Sequence, residues 1–288
     1  FDFGAGVHGV TLFLHDIGFP LIAVFGLSFF KWGGTGAPEW NGINNYIKLF
    51  TTDPYFKESI KVTVYFSLLA VVGSMVYSLI VAMLLNRKIP ARGFFRAVFY
   101  LPYVLPAAAV YIGWSWLYNT EWGLFNYILS KLGIERLMFV SSSSQVVPSL
   151  ALIAVWLSGN LIVIFLAGLQ NVPRVYHEAA EIDGANAWQR FWHVTFPSMT
   201  PIIFYNMLMS LITNMQVVTP ALALTKGGPG KSSYFMSYML YNYAFKQRGK
   251  IGLACAIAFV LFLLIGAFTL LLFATSKSWI FYEGGDDK

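Results

Sequence analysis

Five long apolar runs limit what this chain can fold into. Each has about 20 residues or more, enough for a helix to cross roughly 30 Å of hydrocarbon, and none contains Asp, Glu, Lys, Arg or His. Because lipid offers no hydrogen-bond partner to free backbone groups, each run is predicted to be a transmembrane helix. The predicted spans are 62–85, 97–117, 147–169, 202–224 and 251–274.

A sixth predicted span, 10–30, is less regular than the others. It is long enough to cross the bilayer, but it carries His15 and Asp16, and Pro20 favours a kink. We count it as a span. The predicted fold is therefore one membrane domain over residues 1–288, an all-α polytopic bundle of six transmembrane helices.

The composition agrees with a membrane protein and not with a nucleic-acid-binding protein. Hydrophobic residues make up 57% of the chain and charged residues 11%, whereas about a quarter of the residues in a soluble domain are charged. The formal net charge is +6, but the longest uninterrupted basic stretch is Arg87-Lys88, too short for a nucleic-acid-binding tract. We therefore attribute the positive charge to membrane topology.

The distribution of Lys and Arg does not decide how the bundle is oriented. The raw count even favours an extracytoplasmic position for the loop between the fourth and fifth spans, residues 170–199. The densest basic cluster lies in loop 86–96, has no acidic neighbour there, and favours a cytoplasmic position for that loop. The charge distribution therefore leaves the orientation of the chain open.

The loop over 170–199 concentrates the charge that the spans avoid. Its charged section begins EAAEIDGANAWQR at Glu178. Two interpretations are open from these residues alone. The loop is either an amphipathic connector at the membrane surface or a surface that binds another protein.

Helix start and stop signals divide this loop into two short helices. Pro173 suits the first turn of a helix and Gly184 suits the position after its end, which predicts a helix over 175–183. A second helix is predicted over 186–193, ending before Pro197. The loop is thus predicted to be a polar helical hairpin.

Several motifs resemble those of a known transporter family. The sequence E-A-A-x-x-D-G-A from Glu178, followed by Phe196-Pro197, resembles the EAA loop of permease subunits in binding-protein-dependent ABC importers. The family's usual Ile-x-Leu-Pro ending is here Val194-Thr195-Phe196-Pro197. Two further motifs, Gly93 to Arg96 with Leu101-Pro102 and Thr225 to Gly230, are similar to those of the maltose-importer type of carbohydrate permease.

This resemblance implies a mechanical role for the loop. In the family, the EAA loop forms a coupling helix between the fourth and fifth spans and docks into a cleft of a cytoplasmic ATPase. By this resemblance Glu178 is the charged contact, Ala179 and Ala180 form the close-packing surface, Asp183 supplies a further carboxylate, and Gly184 makes the turn.

The resemblance also implies partners and a location. The family pattern requires a second permease subunit, usually a different but related chain, two ATPase subunits that bind ATP and Mg, an extracytoplasmic solute-binding protein and a carbohydrate. This chain has no G-x-x-x-x-G-K-[ST] phosphate loop, and we expect no cofactor, metal or catalytic site in it. The expected location is a bacterial inner membrane, with the EAA loop and both termini cytoplasmic.

Polar residues in the fifth predicted span share one helical face. Asn206, Ser210, Thr213 and Asn214, with Val217 after them, are spaced so that a helix aligns them. Polar side chains are costly against lipid, so this face should border a cavity or another helix. Hydrogen bonds between helices explain any one residue about as well as a substrate path does. The resemblance to the maltose permease implies a substrate path for all but the first.

The fourth predicted span offers a second candidate group. Trp156, Ser158 and Asn160 lie near its middle, and an indole ring with hydroxyl and amide groups suits a sugar's apolar face and its hydroxyls. Ordinary packing of the tryptophan is the alternative.

Two other functional classes are weighed against an importer permease. An ion-coupled secondary transporter or channel would be expected to carry charged or ion-coordinating residues in its spans, and five spans here lack any charge. A membrane enzyme would need clustered catalytic groups, which the sequence does not show. The predicted function is the permease subunit of a carbohydrate ABC importer for a mono- or oligosaccharide, a polyol or an acidic sugar, with the ion-coupled transporter or channel as the alternative.

Overall fold

The computed structural model describes residues 18–247 and 249–281, and this part of the chain is mostly helical, as predicted. Its helices are α1 Phe19–Leu27, α2 Asn44–Ile47, α3 Phe56–Asn86, α4 Arg92–Val104, α5 Ala107–Leu117, α6 Leu124–Lys131, α7 Val146–Trp156, α8 Gly159–Asn171, α9 Arg174–Ile182, α10 Ala187–Arg190, α11 Phe196–Met215, α12 Met236–Tyr241 and α13 Ile251–Ser276. Short π-helical turns lie at Lys48–Thr52, Phe191–Thr195, Ala221–Thr225 and Asn242–Lys246, and a 3-10 turn lies at Phe139–Ser141. Strands β1 Phe30–Lys31 and β2 Glu39–Trp40 pair antiparallel between α1 and α2.

Two of these helices are long and apolar enough to cross a membrane on their own. α3 has 31 residues and α13 has 26, and they cover the predicted spans 62–85 and 251–274. At 1.5 Å per residue they measure roughly 46 and 39 Å, longer than the hydrocarbon core. Two bent pairs, α4 with α5 and α7 with α8, are each apolar enough to form one further crossing.

The predicted span 97–117 is not one straight helix. It is divided between α4 and α5, which meet at an angle of 100°. Leu105 is extended, with φ −70° and ψ 144°, and Pro106 follows it at the start of α5. Proline lacks an N–H and disfavours helical backbone at the preceding residue, which explains a break at this point.

The predicted span 147–169 is also broken, with a bend of 50° between α7 and α8. The second half of the span begins at Gly159, and α4 packs directly against this residue. A Cβ at this position would lie 2.7 Å from the backbone oxygen of Phe99. Only a glycine allows the two helices to come this close.

The predicted boundaries around α11 need correction at both ends. The second helix of the hairpin does not stop before Pro197, because α10 continues through the π turn Phe191–Thr195 directly into α11. Within that turn the N–H of Phe196 reaches back to the oxygen of Phe191, a local shift that accommodates the prolines of α11. At its other end α11 stops at Met215, so the predicted span 202–224 is too long.

Only part of the predicted first span lies within the described residues. α1 is helical from Phe19 to Leu27, with Pro20 in its first turn. Residues 10–17, which include His15 and Asp16, lie outside the described part of the chain.

The core is built around α3, which packs against α7, α8 and α11. One face of α3 carries small polar residues that are buried: Ser59, Thr63, Ser67, Ser74 and Ser78. The hydroxyl of Thr63 accepts from the N–H of Met236 at 2.9 Å, and the Ser78 hydroxyl lies 2.9 Å from that of Ser158. Small residues let helices approach closely, and hydroxyl groups such as these form hydrogen bonds between neighbouring helices.

Two glycines of α13 provide a matched test of this packing. A Cβ on Gly252 would overlap the backbone oxygen of Phe30, whereas one on Gly266 meets nothing within 4 Å. We expect Gly252→Ala to lower the thermal unfolding midpoint in detergent, because such overpacking costs about 1–3 kcal/mol. Gly266→Ala should leave the midpoint unchanged or raise it, since alanine favours helix. Equal midpoints for both variants would contradict the described contact between α13 and β1.

Candidate functional site

A cavity of about 530 Å³ lies among α3, α5, α7, α8, α11 and the end of α4. This volume is in the range of pockets that hold small molecules. Its polar lining consists of Ser74, Ser158, Asn160, Asn206, Ser210, Thr213 and Asn214, together with Tyr103, Tyr111 and Tyr205. No lining residue is charged, and the described part of the chain contains no cluster of potential metal ligands.

The polar face of α11 borders this cavity along its length. Asn206, Ser210, Thr213 and Asn214 all line it, which is the common face that their spacing predicts. Asn206 Nδ2 donates to the backbone oxygen of Ile202, and Asn214 Nδ2 donates to that of Ser210, each at 2.8 Å. Each amide binds its own helix through one N–H. A second N–H and the carbonyl oxygen are then available to a hydroxyl-bearing ligand.

The break between α7 and α8 supplies two more polar groups. Ser158 is buried, and its hydroxyl donates to the Val155 oxygen at 2.7 Å and contacts the Ser78 hydroxyl. Asn160 lines the cavity on the first turn of α8. Ser158 is thus held by neighbouring groups and shapes the wall, while Asn160 offers its amide to the interior.

Two predicted path residues do not reach the cavity. Trp156 packs against Trp114, with ring centroids 5.5 Å apart, and is absent from the lining. Val217 follows the end of α11 and packs against the main hydrophobic core. The helical spacing used for Val217 does not apply, because the helix has already ended at Met215.

Three tyrosines in the lining were not predicted from the sequence. Tyr205 is 58% exposed and precedes Asn206 on α11, whereas Tyr103 and Tyr111 come from the bent pair α4 and α5. A tyrosine adds an apolar ring and one hydroxyl to a polar pocket. Tyr205 could have been found from its place beside the polar face. The other two depend on the 100° bend.

The loop after α8 forms the predicted hairpin from α9 and α10. α9 ends in a Schellman motif: Gly184 has φ +78°, its N–H donates to the Glu181 oxygen at 3.0 Å, and the Ala185 N–H donates to the Ala180 oxygen at 2.9 Å. α10 begins with a capping box between Asn186 and Gln189. Both sides of the turn are therefore defined by local hydrogen bonds.

An ion pair connects the two helices of the hairpin. Arg190 of α10 contacts the carboxylate of Glu181 on α9. The Glu181 side chain is 61% exposed, so the pair adds little stability by itself and serves mainly to fix the angle between the two helices.

One face of α9 is open and mixes charge with apolar surface. Val175, Ala179 and Ile182 recur at helical spacing, and Ile182 is 87% exposed. Glu178 and Asp183 are exposed beside them, and Ala180 is half-buried. An exposed apolar stripe flanked by carboxylates is typical of a protein-binding surface.

A surface of lysines and tyrosines lies near the other end of α3. The Lys231 Nζ lies 5.2 Å from the ring centroid of Tyr55 and 4.5 Å from that of Tyr234. Nearby, the Tyr243 hydroxyl donates to the Asp53 carboxylate. Burial, followed by the contact with Asp53, raises the pKa of Tyr243 above its ordinary value.

The family model for "Binding-protein-dependent transport system inner membrane component" matches residues 74–278, which contain all the lining residues of the cavity and the whole hairpin. The chain belongs to this family. It is 36% identical over 272 residues to the probable ABC transporter permease protein YesP of Bacillus subtilis, covering 93% of this chain and 87% of the relative. It is also 36% identical to the multiple sugar-binding transport system permease protein MsmF of Streptococcus mutans, with 91% and 90% covered.

The fold is shared with solved structures of this kind of transporter. A chain of a bacterial ABC transporter involved in the import of the acidic polysaccharide alginate superposes with a TM-score of 0.79 at 19% identity, covering 96% of this chain and 94% of that one. The same kind of transporter in complex with an alginate pentasaccharide-bound periplasmic protein gives a TM-score of 0.80. At this identity the likeness shows the fold.

The cavity gives a test of the polar face of α11. We expect Asn214→Leu and Ser210→Leu to lower solute transport by the assembled complex by about tenfold, because each removes a polar contact from the cavity wall. Transport into proteoliposomes and the amount of assembled complex should be measured together. Thr275→Leu, at an exposed position of α13, is the control and should leave both unchanged. Loss of assembly with the two cavity variants would instead favour a packing role.

Proposed function

We propose that this chain is the non-catalytic permease subunit of a sugar ABC importer in a bacterial inner membrane. One domain of six transmembrane spans forms half of the translocation path, and the hairpin of α9 and α10 couples it to ATP hydrolysis by separate subunits. The hairpin and both termini face the cytoplasm. Membership of the family of inner membrane components, together with the bent and straight apolar helices, supports this proposal.

One observation carries the proposal: the helix that lines the cavity is continuous with the hairpin. α10, the π turn at 191–195 and α11 form one uninterrupted helical path. The hydrogen-bonded turn at Gly184 and the capping box of α10 connect α9 to this path, and the Glu181–Arg190 pair lies between the two helices. Movement of a partner bound at α9 would thus be transmitted to the polar face of α11 and would change access to the cavity.

The proposed substrate is a sugar or polyol. The lining offers amides, hydroxyls and tyrosine rings, which suit the hydroxyls and apolar faces of a sugar. The relatives' names support the same class, since they include the multiple sugar-binding system and the trehalose/maltose system of Thermococcus litoralis, 30% identical to this chain. An acidic sugar would find no opposite charge among the lining residues, although its hydroxyls would be recognised in the same way.

We propose that the two ends of the bundle bind different partners. Two ATPase subunits, which bind ATP and Mg, dock at α9 of this chain and at the equivalent helix of a second, related permease. A solute-binding protein docks at the opposite end, where the surface around Tyr55 and Lys231 is available. The solved transporter with its periplasmic protein supports such an assembly by analogy of fold.

An ion-coupled transporter or channel is disfavoured. The family matched by residues 74–278 consists of components of binding-protein-dependent systems. The cavity lining contains no charged residue that would carry a coupling proton or bind a sodium ion strongly. Uptake driven by an ion gradient in proteoliposomes without ATPase subunits would overturn the proposal.

Glu178 tests the coupling role of α9. In the complex with its partner subunits, we expect Glu178→Ala to lower binding-protein-stimulated ATP hydrolysis and sugar uptake by about tenfold or more, because it leaves a charged group of the partner unpaired at the interface. Both rates should be measured on the same proteoliposomes.

The matched control is Glu121→Ala. Glu121 is also an exposed glutamate, but it lies in the loop between α5 and α6, outside the hairpin and outside the residues of the lysine and tyrosine surface. We expect normal hydrolysis and uptake for this variant. Normal activity of Glu178→Ala as well would refute the assignment of α9 as the ATPase contact.

A further inference from the structure

The segment between α3 and α4 is strongly basic. Arg87, Lys88, Arg92 and Arg96 lie within residues 86–96, which contain no Asp or Glu. α3 ends at Asn86, and its 31 residues exceed the hydrocarbon thickness, so its end reaches the level of the lipid headgroups. Basic residues placed here are exposed to the field of an anionic membrane surface.

Two of these arginines donate hydrogen bonds to the same uncharged oxygen atom. Arg92 and Arg96 are one helical turn apart on α4. With the Gln170 amide oriented by its hydrogen bonds, Gln170 Oε1 accepts from Nη2 of Arg92 at 2.9 Å and from Nη2 of Arg96 at 3.0 Å. Gln170 lies at the end of α8. Two guanidinium groups are thereby held next to each other.

Neither guanidinium has an acidic partner within the described residues. The Nε atoms of both arginines are buried and lack a hydrogen-bond partner there. One amide oxygen cannot neutralise two cations, which repel each other, and buried donors without acceptors are unfavourable. An oxyanion with several acceptor oxygens would accept from the remaining terminal N–H groups of both arginines and balance their charge, because guanidinium matches phosphate geometry.

The surroundings indicate the source of such an oxyanion. Apolar side chains of α4 flank the face that carries the two arginines: Tyr100 lies one helical turn after Arg96 and is 39% exposed, and Phe95 is 41% exposed. α4 is bent by 100° from α5, so both helices cannot run across the bilayer in the same direction. Cationic groups beside exposed apolar side chains at headgroup level are typical of contacts with anionic phospholipids.

We propose that Arg92 and Arg96 form a phosphate-binding site for the headgroup of an anionic phospholipid. The phosphodiester oxygens accept from the two guanidinium groups, and the acyl chains lie along the apolar side chains of α4. Because Gln170 lies four residues before the start of α9, the bound lipid steadies the end of α8 from which α9 extends. The assignment to the cytoplasmic leaflet rests on the proposed function; lipid binding itself does not.

The test is native mass spectrometry of the full-length chain in detergent, titrated with phosphatidylglycerol, phosphatidylcholine or inorganic phosphate. We expect phosphatidylglycerol to bind about tenfold more tightly than phosphatidylcholine. Arg92→Gln/Arg96→Gln should remove this preference, and Arg92→Lys/Arg96→Lys should retain part of it. Lys57→Gln/Lys61→Gln, a pair with the same spacing at the other end of α3, is the control and should bind like the wild type.

The outcomes separate the possible sources. Inorganic phosphate that binds through the same arginines without a preference for phosphatidylglycerol would assign the site to free phosphate and overturn the lipid. Equal binding of both lipids, unchanged in the arginine variants, would overturn the site altogether. If the variants lose only the association with ATPase subunits, the partner of the arginines is a protein and the proposal is wrong.

Two safeguards keep the test decisive. Circular dichroism verifies that the double variant is folded, and if it is not, Arg96→Gln alone and competition on the wild type give the same comparison. Since binding is measured without transport, a failure of sugar uptake would refute the proposed function and leave this result intact.

Discussion

The continuous helical backbone from Ala187 to Met215 is the feature on which the proposed mechanism depends. It carries the hairpin at one end and the polar face of α11 at the other. The π turn at 191–195 keeps this path helical although Pro197 follows at once. Backbone hydrogen bonds make a helix stiff along its axis, so a displacement at the surface is not lost before it reaches the cavity.

The irregular backbone of the bundle is concentrated around the cavity. Leu105, at the break between α4 and α5, and Leu157 with Ser158, at the break between α7 and α8, all line it. Within a membrane, non-helical backbone is tolerated where it is enclosed by protein or borders a cavity. The helix breaks, the close packing at Gly159 and the polar wall therefore lie together around the cavity. The straight helices support the bundle, and the bent helices shape its interior.

The sequence predicted the helical class, the charge-free spans within α3 and α13 and the hairpin with its glycine, because hydrophobic run length and capping signals are local properties. It also predicted the common face of Asn206, Ser210 and Asn214. It did not predict the bends, since hydrophobicity stays high across Leu105 and Leu157 while the backbone turns. For the same reason the sequence did not indicate Tyr103 and Tyr111 in the cavity lining or the position of Val217 beyond the end of α11. Their positions depend on where helices end and cross, which no single segment encodes.

The most direct test of this account is a proline at His193, an exposed position in the π turn. His193→Pro removes a backbone N–H and strains the preceding turn, whereas His193→Ala removes only the side chain and its contact with the Gln189 oxygen. In reconstituted complexes the measurement is sugar molecules imported per ATP hydrolysed. Transmission through this helix predicts that the ratio falls about tenfold for the proline variant while hydrolysis continues, and is unchanged for alanine. A normal ratio for His193→Pro would contradict transmission through this helix.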